Sequence, residues 1–266
     1  MILIIGGLYE GLGLGCALTI AKQNREVVIL HSLATSRPQD EVQKLYNRLR
    51  LEVPTLEICR YQGINELEEY LIKYSTFCTG VVIANGQRAY DFTSSKDLDP
   101  SDILAAIERE IATSQLVVKY IFPRWIEKKQ GALVSFGYYR DYWNNHLPLN
   151  GGHLFSNDSC LFKIAKACKY ELYRTLADQH VVYNIRINII EPGRIENLPL
   201  DKLLAVLGEK LDLSRATSLN VAKLCSFLLS DESQYVTGAI IPVLNKPITY
   251  KLPNSNDRNK MIVGLT

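Results

Sequence analysis

Near its amino end the chain reads Ile2-Leu3-Ile4-Ile5-Gly6-Gly7-Leu8-Tyr9-Glu10-Gly11-Leu12-Gly13. The four apolar residues have the pattern of a short buried strand, and spaced glycines follow them. Glycine suits a turn that needs positive φ, lets the backbone approach a pyrophosphate and lets the next helix pack closely on the strand. That helix, from residue 12 to about residue 23, would present free N–H groups to an anion. The pattern indicates a nucleotide-binding turn, and a glycine-rich turn that serves packing alone is the alternative.

The composition is that of an α/β domain of ordinary size. The chain has 266 residues, of which 47% are hydrophobic and 22% charged, so it can bury a full core. A net charge of +2, with no basic tract and no zinc-finger spacing, argues against nucleic-acid binding. Apolar stretches such as residues 116–121 and 187–190 are far shorter than the roughly 20 residues of a membrane span. The apolar run of the first predicted strand begins at residue 2, which leaves no room for a signal peptide, so we expect a cytoplasmic protein.

The cysteines indicate a reducing environment. There are six of them, with no CxxC pair, and each falls inside a predicted strand or helix or within two residues of one: Cys16, Cys59, Cys78, Cys160, Cys168 and Cys225. We expect reduced, mostly buried thiols rather than disulfides or metal ligands. His146 and His153 also lack the spacing of metal ligands, so no metal site is predicted.

Short apolar runs alternate with segments of helical periodicity, which is typical of a doubly wound parallel sheet. Seven strands are predicted, at residues 3–6, 27–31, 56–61, 80–84, 132–136, 184–190 and 239–243. Helices are predicted at residues 13–23, 39–50, 66–74, 102–128, 161–177 and 220–229. The pattern predicts one Rossmann-like domain over residues 1–245, with helices on both faces of the sheet. Residues 246–266 would form a polar tail that packs on the surface or on a partner subunit.

Five segments resemble those of the short-chain dehydrogenase/reductase family. They occur in the family's order, and the resemblance extends over nearly the whole chain. They are similar to its cofactor loop, its strand-four segment, the strand before its catalytic serine, the segment flanking the nicotinamide and the last helix-to-strand passage. In this chain they read Gly7-x-x-x-Gly11-x-Gly13, Val81-Val82-Ile83-Ala84-Asn85-Gly86, Gly131-Ala132-Leu133-Val134-Ser135, Ile185-Arg186-Ile187-Asn188-Ile189-Ile190-Glu191-Pro192-Gly193 and Tyr235-Val236-Thr237-Gly238. The resemblance implies a Rossmann fold and a nicotinamide-dependent oxidoreductase ancestry.

The catalytic positions depart from the family pattern. Members use a Tyr-x-x-x-Lys pair, in which the lysine and the cofactor ribose lower the tyrosine pKa so that the phenol can protonate the substrate oxygen. Counted back from the segment that begins at Ile185, the lysine position holds Lys166 and the tyrosine position holds Phe162. The serine position holds Tyr138, and the helix-four asparagine position holds Glu110. A phenyl ring has no exchangeable proton, so the family's acid–base step lacks its usual agent.

The cofactor positions are also altered. NAD-preferring members carry an acid at the end of strand two, where this chain has His31 and Ser32. NADP would be favoured by a basic residue in the glycine loop or just after strand two, but the loop holds Glu10 and the nearest arginine is Arg37. We expect NADP or NAD to bind weakly or not at all, or a smaller ligand to take its place. The resemblance places the cofactor contacts at Gly7, Gly11, Gly13, His31, Ser32, Gln62, Asn85, Gly86, Lys166, Pro192 and Gly193.

Two functions follow from these departures. In the first, the chain is a catalytically degenerate member with a binding, regulatory or structural role. Helices 102–128 and 161–177 resemble those of the family's four-helix dimer interface, which predicts a homo-oligomer or pairing with a related subunit. In the second, the chain is an NADP-dependent oxidoreductase of a carbonyl or hydroxyl substrate, with a relocated proton donor such as Tyr138. A cofactor-free lyase, isomerase or dehalogenase is a third class that no residue here singles out.

Two side chains have more than one interpretation. Tyr138 opens an aromatic loop, residues 138–146, which would otherwise form a packed lid or an interface patch. Glu110 is interpreted as a surface or capping acid unless it pairs with Lys166, in which case the pair would replace the family's proton relay.

Overall fold

A computed structural model of the chain describes residues 1–7, 12–33, 39–85, 99–137, 160–193 and 217–243. Within these residues, seven strands form one sheet in the order β3-β2-β1-β4-β5-β6-β7, and every pairing is parallel. The strands are β1 Ile2–Ile5, β2 Val27–Ser32, β3 Leu56–Tyr61, β4 Gly80–Ile83, β5 Gly131–Phe136, β6 Ile185–Pro192 and β7 Ile240–Val243. The predicted Rossmann-like parallel sheet is confirmed.

Helices cover both faces of the sheet. They are α1 Leu12–Ala21, α2 Gln39–Glu52, α3 Ile64–Tyr74, α4 Pro100–Tyr120, α5 Phe122–Lys128, α6 Cys160–His180 and α7 Ser218–Leu228. In β1, Ile2 and Ile4 pack toward α1, α2 and α7, whereas Leu3 and Ile5 pack toward α3 to α6, because alternate residues of a strand face opposite sides. No described helix is long and apolar enough to cross a membrane.

The predicted helix over residues 102–128 is two helices, so that prediction was wrong in its continuity. Helix α4 ends at Tyr120, and α5 begins at Phe122 with Pro123 in its first turn. Proline has no N–H to donate, and its ring clashes with the carbonyl four residues earlier in an uninterrupted helix. The chain therefore closes α4 at Ile121 and starts a new helix, in which Pro123 is tolerated.

The cysteines of the described part are free thiols. Cys16, Cys59, Cys78 and Cys225 are buried, and Cys168 is half-buried. For these five residues the predicted burial is confirmed, with Cys168 the least buried.

Trp125 lies in the core at the point where α5 leads into β5. Its side chain is fully buried, and Nε1 donates to the carbonyl oxygen of Cys78 at 2.9 Å. The indole lies against the backbone of Gly131, where an added Cβ would be 2.2 Å from Trp125 Cδ2. Any side chain at position 131 therefore needs the indole to move.

We expect Gly131→Ala to lower the free energy of unfolding by about 1–3 kcal/mol, because the added methyl group overpacks the core against a buried ring. Urea unfolding followed by tryptophan fluorescence measures this change. Gly15→Ala in α1 is the matched control: its Cβ would make an ordinary contact with Ser218 O at 3.4 Å, so stability should stay the same or rise by up to about 1 kcal/mol. Equal effects of the two substitutions would contradict the role assigned to Trp125.

Candidate active site and nucleotide-binding turn

The turn after β1 is made of closely packed backbone. Gly6 and Gly7 have φ of 83° and 70°, a region that side chains rarely adopt. A Cβ on Gly13 would lie 2.7 Å from Gly6 O and 2.9 Å from Gly7 Cα, so position 13 accepts only glycine without a shift of the backbone. The N–H of Leu14 donates to Gly7 O at 3.2 Å, which joins the turn to α1. This arrangement fits a dinucleotide pyrophosphate approaching the start of α1.

Asn85 extends this turn at the end of β4. A Cβ on Gly6 would lie 2.7 Å from the Cβ of Asn85, so the two residues pack backbone against side chain. The Asn85 side chain donates from Nδ2 to Thr113 Oγ1 in α4 at 2.7 Å. The structure thus brings Gly7, Gly13 and Asn85 together, while Gly11 and Gly86 lie outside the described residues.

The end of β2 lies beside a cation that the sequence analysis did not consider. His31 is buried, and burial, followed by the charge of Arg60, lowers the pKa of its imidazole. Arg60 of β3 is in register with His31, stacks over the ring of Tyr46 with 4.4 Å to the centroid, and donates to Gln43 Oε1 at 2.5 Å. Parallel register therefore places a positive charge at the end of β2, where the sequence offered neither an acid nor a nearby arginine.

The remaining predicted cofactor contacts are spread along the same edge of the sheet. Ser32 ends β2, and its hydroxyl is hydrogen-bonded to Tyr61. Gln62 is exposed just after β3, and its backbone N–H donates to Glu66 Oε2 at 2.6 Å. Pro192 ends β6, and the N–H of the next residue, Gly193, donates to Val243 O at 2.9 Å.

A buried cluster of three charges lies between α4 and α6. Glu110 Oε1 accepts from Lys166 Nζ at 2.6 Å and from Lys169 Nζ at 2.9 Å. The side chains of Glu110 and Lys169 are 0% exposed and that of Lys166 is 8% exposed. The interpretation of Glu110 as a surface or capping acid was wrong, because the carboxylate sits inside the helix contact. The alternative, a pair with Lys166, is the arrangement found.

Lys169 is the member of this cluster that the sequence analysis missed. It lies three residues after Lys166, on the same helix face as the buried Ala165 and Tyr173. Its Nζ also lies 3.4 Å from Phe136 O at the end of β5. A lysine within the apolar stripe of a predicted helix is the signal that could have found it.

The cluster shifts the pKa values of its members. Burial disfavours the Glu110 carboxylate, but the charges of Lys169 and Lys166 outweigh that effect and hold its pKa below the usual value. Burial, and then the charge of Lys169, lower the pKa of Lys166 to about 8, and Glu110 opposes the shift. The lowered pKa makes the Lys166 ammonium group a stronger acid than that of an ordinary lysine.

Phe162, the residue predicted for the tyrosine position, lies beside the same lysine. Its ring is buried, and Lys166 Nζ is 5.4 Å from the ring centroid. Tyr173 does not substitute for the missing phenol, since its side chain is buried, its hydroxyl is 3.0 Å from Ser114 Oγ, and burial raises its pKa to about 12. Tyr138 and the rest of the loop over residues 138–146 lie outside the described residues, as does His153.

Comparison with known proteins gives the family. A family model described as enoyl-(acyl carrier protein) reductase matches residues 7–244. A rat protein named dehydrogenase/reductase SDR family member 6 is 21% identical over 253 residues, covering 91% of this chain and 95% of the rat protein. The chain belongs to the short-chain dehydrogenase/reductase family.

Further relatives within this family are equally distant. A Bacillus subtilis protein named uncharacterized oxidoreductase YmfI is 19% identical over 247 residues, covering 90% of this chain and 96% of that protein. Among solved structures, levodione reductase superposes with a TM-score of 0.66 at 17% identity, covering 92% of this chain and 96% of the other. YwfH, an NADPH-dependent reductase involved in bacilysin biosynthesis, also gives 0.66 at 17% identity, with 92% and 99% covered. These structures share the fold.

We expect Glu110→Gln to lower the free energy of unfolding by about 3–5 kcal/mol, because two buried ammonium groups lose their common carboxylate. Glu108→Gln, on the exposed side of the same helix, is the control and should change stability by no more than about 0.5 kcal/mol. Chemical denaturation of both variants at one pH provides the comparison. If Glu110→Gln were as stable as the control, the carboxylate of Glu110 would not be needed to balance the charge of the two lysines.

Proposed function

We propose that the chain is a dinucleotide-binding member of the family that does not perform tyrosine-dependent carbonyl reduction and serves as a binding, regulatory or structural subunit. The observation that carries this proposal is the buried Phe162 ring beside Lys166. Carbonyl reduction needs a hydride at carbon and a proton at oxygen, and a bound reduced nicotinamide supplies only the hydride. The phenyl ring supplies no proton.

The state of Lys166 supports the same proposal. In the family, the lysine lowers the pKa of the neighbouring tyrosine, and here that position offers no phenol to activate. Its Nζ instead contacts the Glu110 carboxylate at 2.6 Å. The lysine of the Tyr-x-x-x-Lys pair is therefore present, but it contacts a carboxylate and has no phenol whose pKa it could lower.

The backbone of the turn supports retained nucleotide binding, and the charge near β2 favours NADP over NAD. The glycine turn keeps its shape at Gly6, Gly7 and Gly13. Strand β2 does not end in an acidic residue that could bind a pair of ribose hydroxyls. Arg60 of β3, in register with His31, instead places a positive charge there. The related structure of YwfH is that of an NADPH-dependent reductase, which agrees with this preference.

Titration with NADPH and NADH, followed by nicotinamide fluorescence and melting temperature together, tests binding. We expect saturable binding with NADPH preferred, and a stabilisation of about 2.7 kcal/mol at a hundredfold excess over Kd. Gly13→Ala should abolish the shift because its Cβ meets the turn backbone, and Gly15→Ala should keep it. No shift with either nucleotide would reject dinucleotide binding.

The same preparation separates the proposal from the alternative of a relocated proton donor. NADPH oxidation in the presence of a panel of ketones and aldehydes should stay at the rate without protein. Turnover that is lost in Tyr138→Phe would reject the proposal and establish an active reductase that uses Tyr138.

We also infer that the chain works as a homo-oligomer or beside a related subunit. Helices α4 and α6 pack together through their inner faces, and their outer faces are exposed. Leu104, in the second turn of α4, is 68% exposed on this outer face. A partner on this face would cover it.

Light scattering during size-exclusion chromatography should give a mass of two or more chains at micromolar concentration. Leu104→Glu should weaken association at least tenfold, since it places a charge in the proposed interface. Leu51→Glu, at a leucine on α2 that is 83% exposed, should leave it unchanged. A monomer in all three proteins would reject this interface.

A further inference from the structure

We propose that the buried cluster of Glu110, Lys166 and Lys169 is a binding site for an organic monoanion, a carboxylate with an apolar body, which Lys166 holds through its ammonium group. The inference rests on the excess positive charge of the cluster, on the hydrogen-bond donors that Lys166 leaves unused and on the apolar ring of Phe162 beside them. It does not depend on dinucleotide binding.

The cluster contains two ammonium groups and one carboxylate. Glu110 accepts from both lysines through the same oxygen, Oε1, at 2.6 Å and 2.9 Å. Within the described part of the chain, neither lysine forms an ion pair with a second carboxylate. Most of Lys166 is protonated at neutral pH, since burial, and then the charge of Lys169, lower its pKa only to about 8. The excess positive charge is costly in a site with little solvent, and a bound monoanion would balance it.

Lys166 has hydrogen-bond donors to spare. An ammonium group carries three N–H donors. Lys169, whose side chain is 0% exposed, donates both to Glu110 Oε1 and to Phe136 O. Among the described residues, Lys166 Nζ donates to Glu110 Oε1 alone, and its side chain is 8% exposed. The two other N–H groups of this nearly buried ammonium are therefore available to a ligand, which would remove the cost of leaving them unpaired.

Lys166 lies on the side of the cluster that faces the carboxyl edge of the sheet. Lys169 contacts Phe136, the last residue of β5, so the cluster lies near the carboxyl end of that strand. Helix α6 ends at His180, shortly before β6 begins at Ile185, so the carboxyl end of the helix lies at the amino end of the sheet. Lys166 comes almost one turn before Lys169 and is therefore nearer the carboxyl edge. Ligands of open parallel sheets bind at that edge.

The surroundings of the ammonium group distinguish between classes of ligand. The ring of Phe162 is buried, and its centroid is 5.4 Å from Lys166 Nζ, so an apolar surface adjoins the free donors. The two oxygens of a carboxylate can accept from the two N–H groups, while an apolar body packs beside the ring. A dianion such as phosphate would bring one negative charge too many and lose more hydration. A neutral hydroxyl would use the donors but leave the excess charge in place.

The test uses the full chain without nucleotide, with sodium butyrate as the probe and its neutral isostere butyramide as the control. Both are titrated at neutral pH and at one ionic strength, which is set with sodium chloride. We expect butyrate to raise the melting temperature saturably, by about 2–4 °C at several times Kd, because it binds the folded chain. Butyramide should give no saturable shift. An equal shift from butyramide, or none from butyrate over sodium chloride, would overturn the proposal.

Three variants locate the site. Lys166→Met removes the ammonium group but keeps a long unbranched side chain, so it should abolish the butyrate shift. Lys223→Met, at an exposed lysine of α7, should keep it. Lys169→Met leaves the free donors of Lys166 in place but removes the excess charge, so the Kd for butyrate should rise at least about fivefold.

A shift that persists in Lys166→Met, or an unchanged Kd in Lys169→Met, would contradict the proposal. The melting temperature of each variant without butyrate reports whether it folds, and the comparison of butyrate with butyramide on the unaltered chain requires no variant. Because no nucleotide is present, a failure here leaves the NADPH titration unaffected.

Discussion

Glu110 accepts hydrogen bonds from two lysines through one carboxylate oxygen, and the contact between α4 and α6 is built around this cluster. Removing an ion from water costs several kcal/mol, and a buried carboxylate is tolerated only with well-placed counter-charges. Because Glu110 comes from one helix and both lysines from the other, the ion pairs fix the relation of the two helices. Lys169 extends that relation to the end of β5 through the Phe136 carbonyl.

The nucleotide-binding turn and the lysine cluster differ in the interactions that determine their geometry. The turn depends on backbone, because Gly6, Gly7 and Gly13 leave no room for a Cβ. The cluster depends on side chains, and the sequence predicts that it lies where the family has other residues, with Phe162 at the tyrosine position and Glu110 at the asparagine position. A fold can therefore keep the backbone that suits a nucleotide while the chemistry beside it changes.

The sequence predicted the sheet well because a buried parallel strand is a short, continuous apolar run, and each run here is separated by helical segments. It predicted α4 and α5 as one helix because apolar periodicity continues through Ile121, and only the backbone restriction of Pro123 separates them. The burial of Glu110 and Lys169 was not predictable from residue type, since charged residues are usually exposed. Arg60 was missed for another reason: it is far from His31 along the chain, and only strand register makes them neighbours.

Helix α4 contacts the nucleotide-binding turn through Thr113 and the lysine cluster through Glu110, and these two residues lie three positions apart on one helix face. Both contacts are hydrogen bonds to the same helix. A displacement of α4 along its axis would therefore lengthen or shorten both of them together, so the position of this one helix sets the geometry of the turn and of the cluster at the same time.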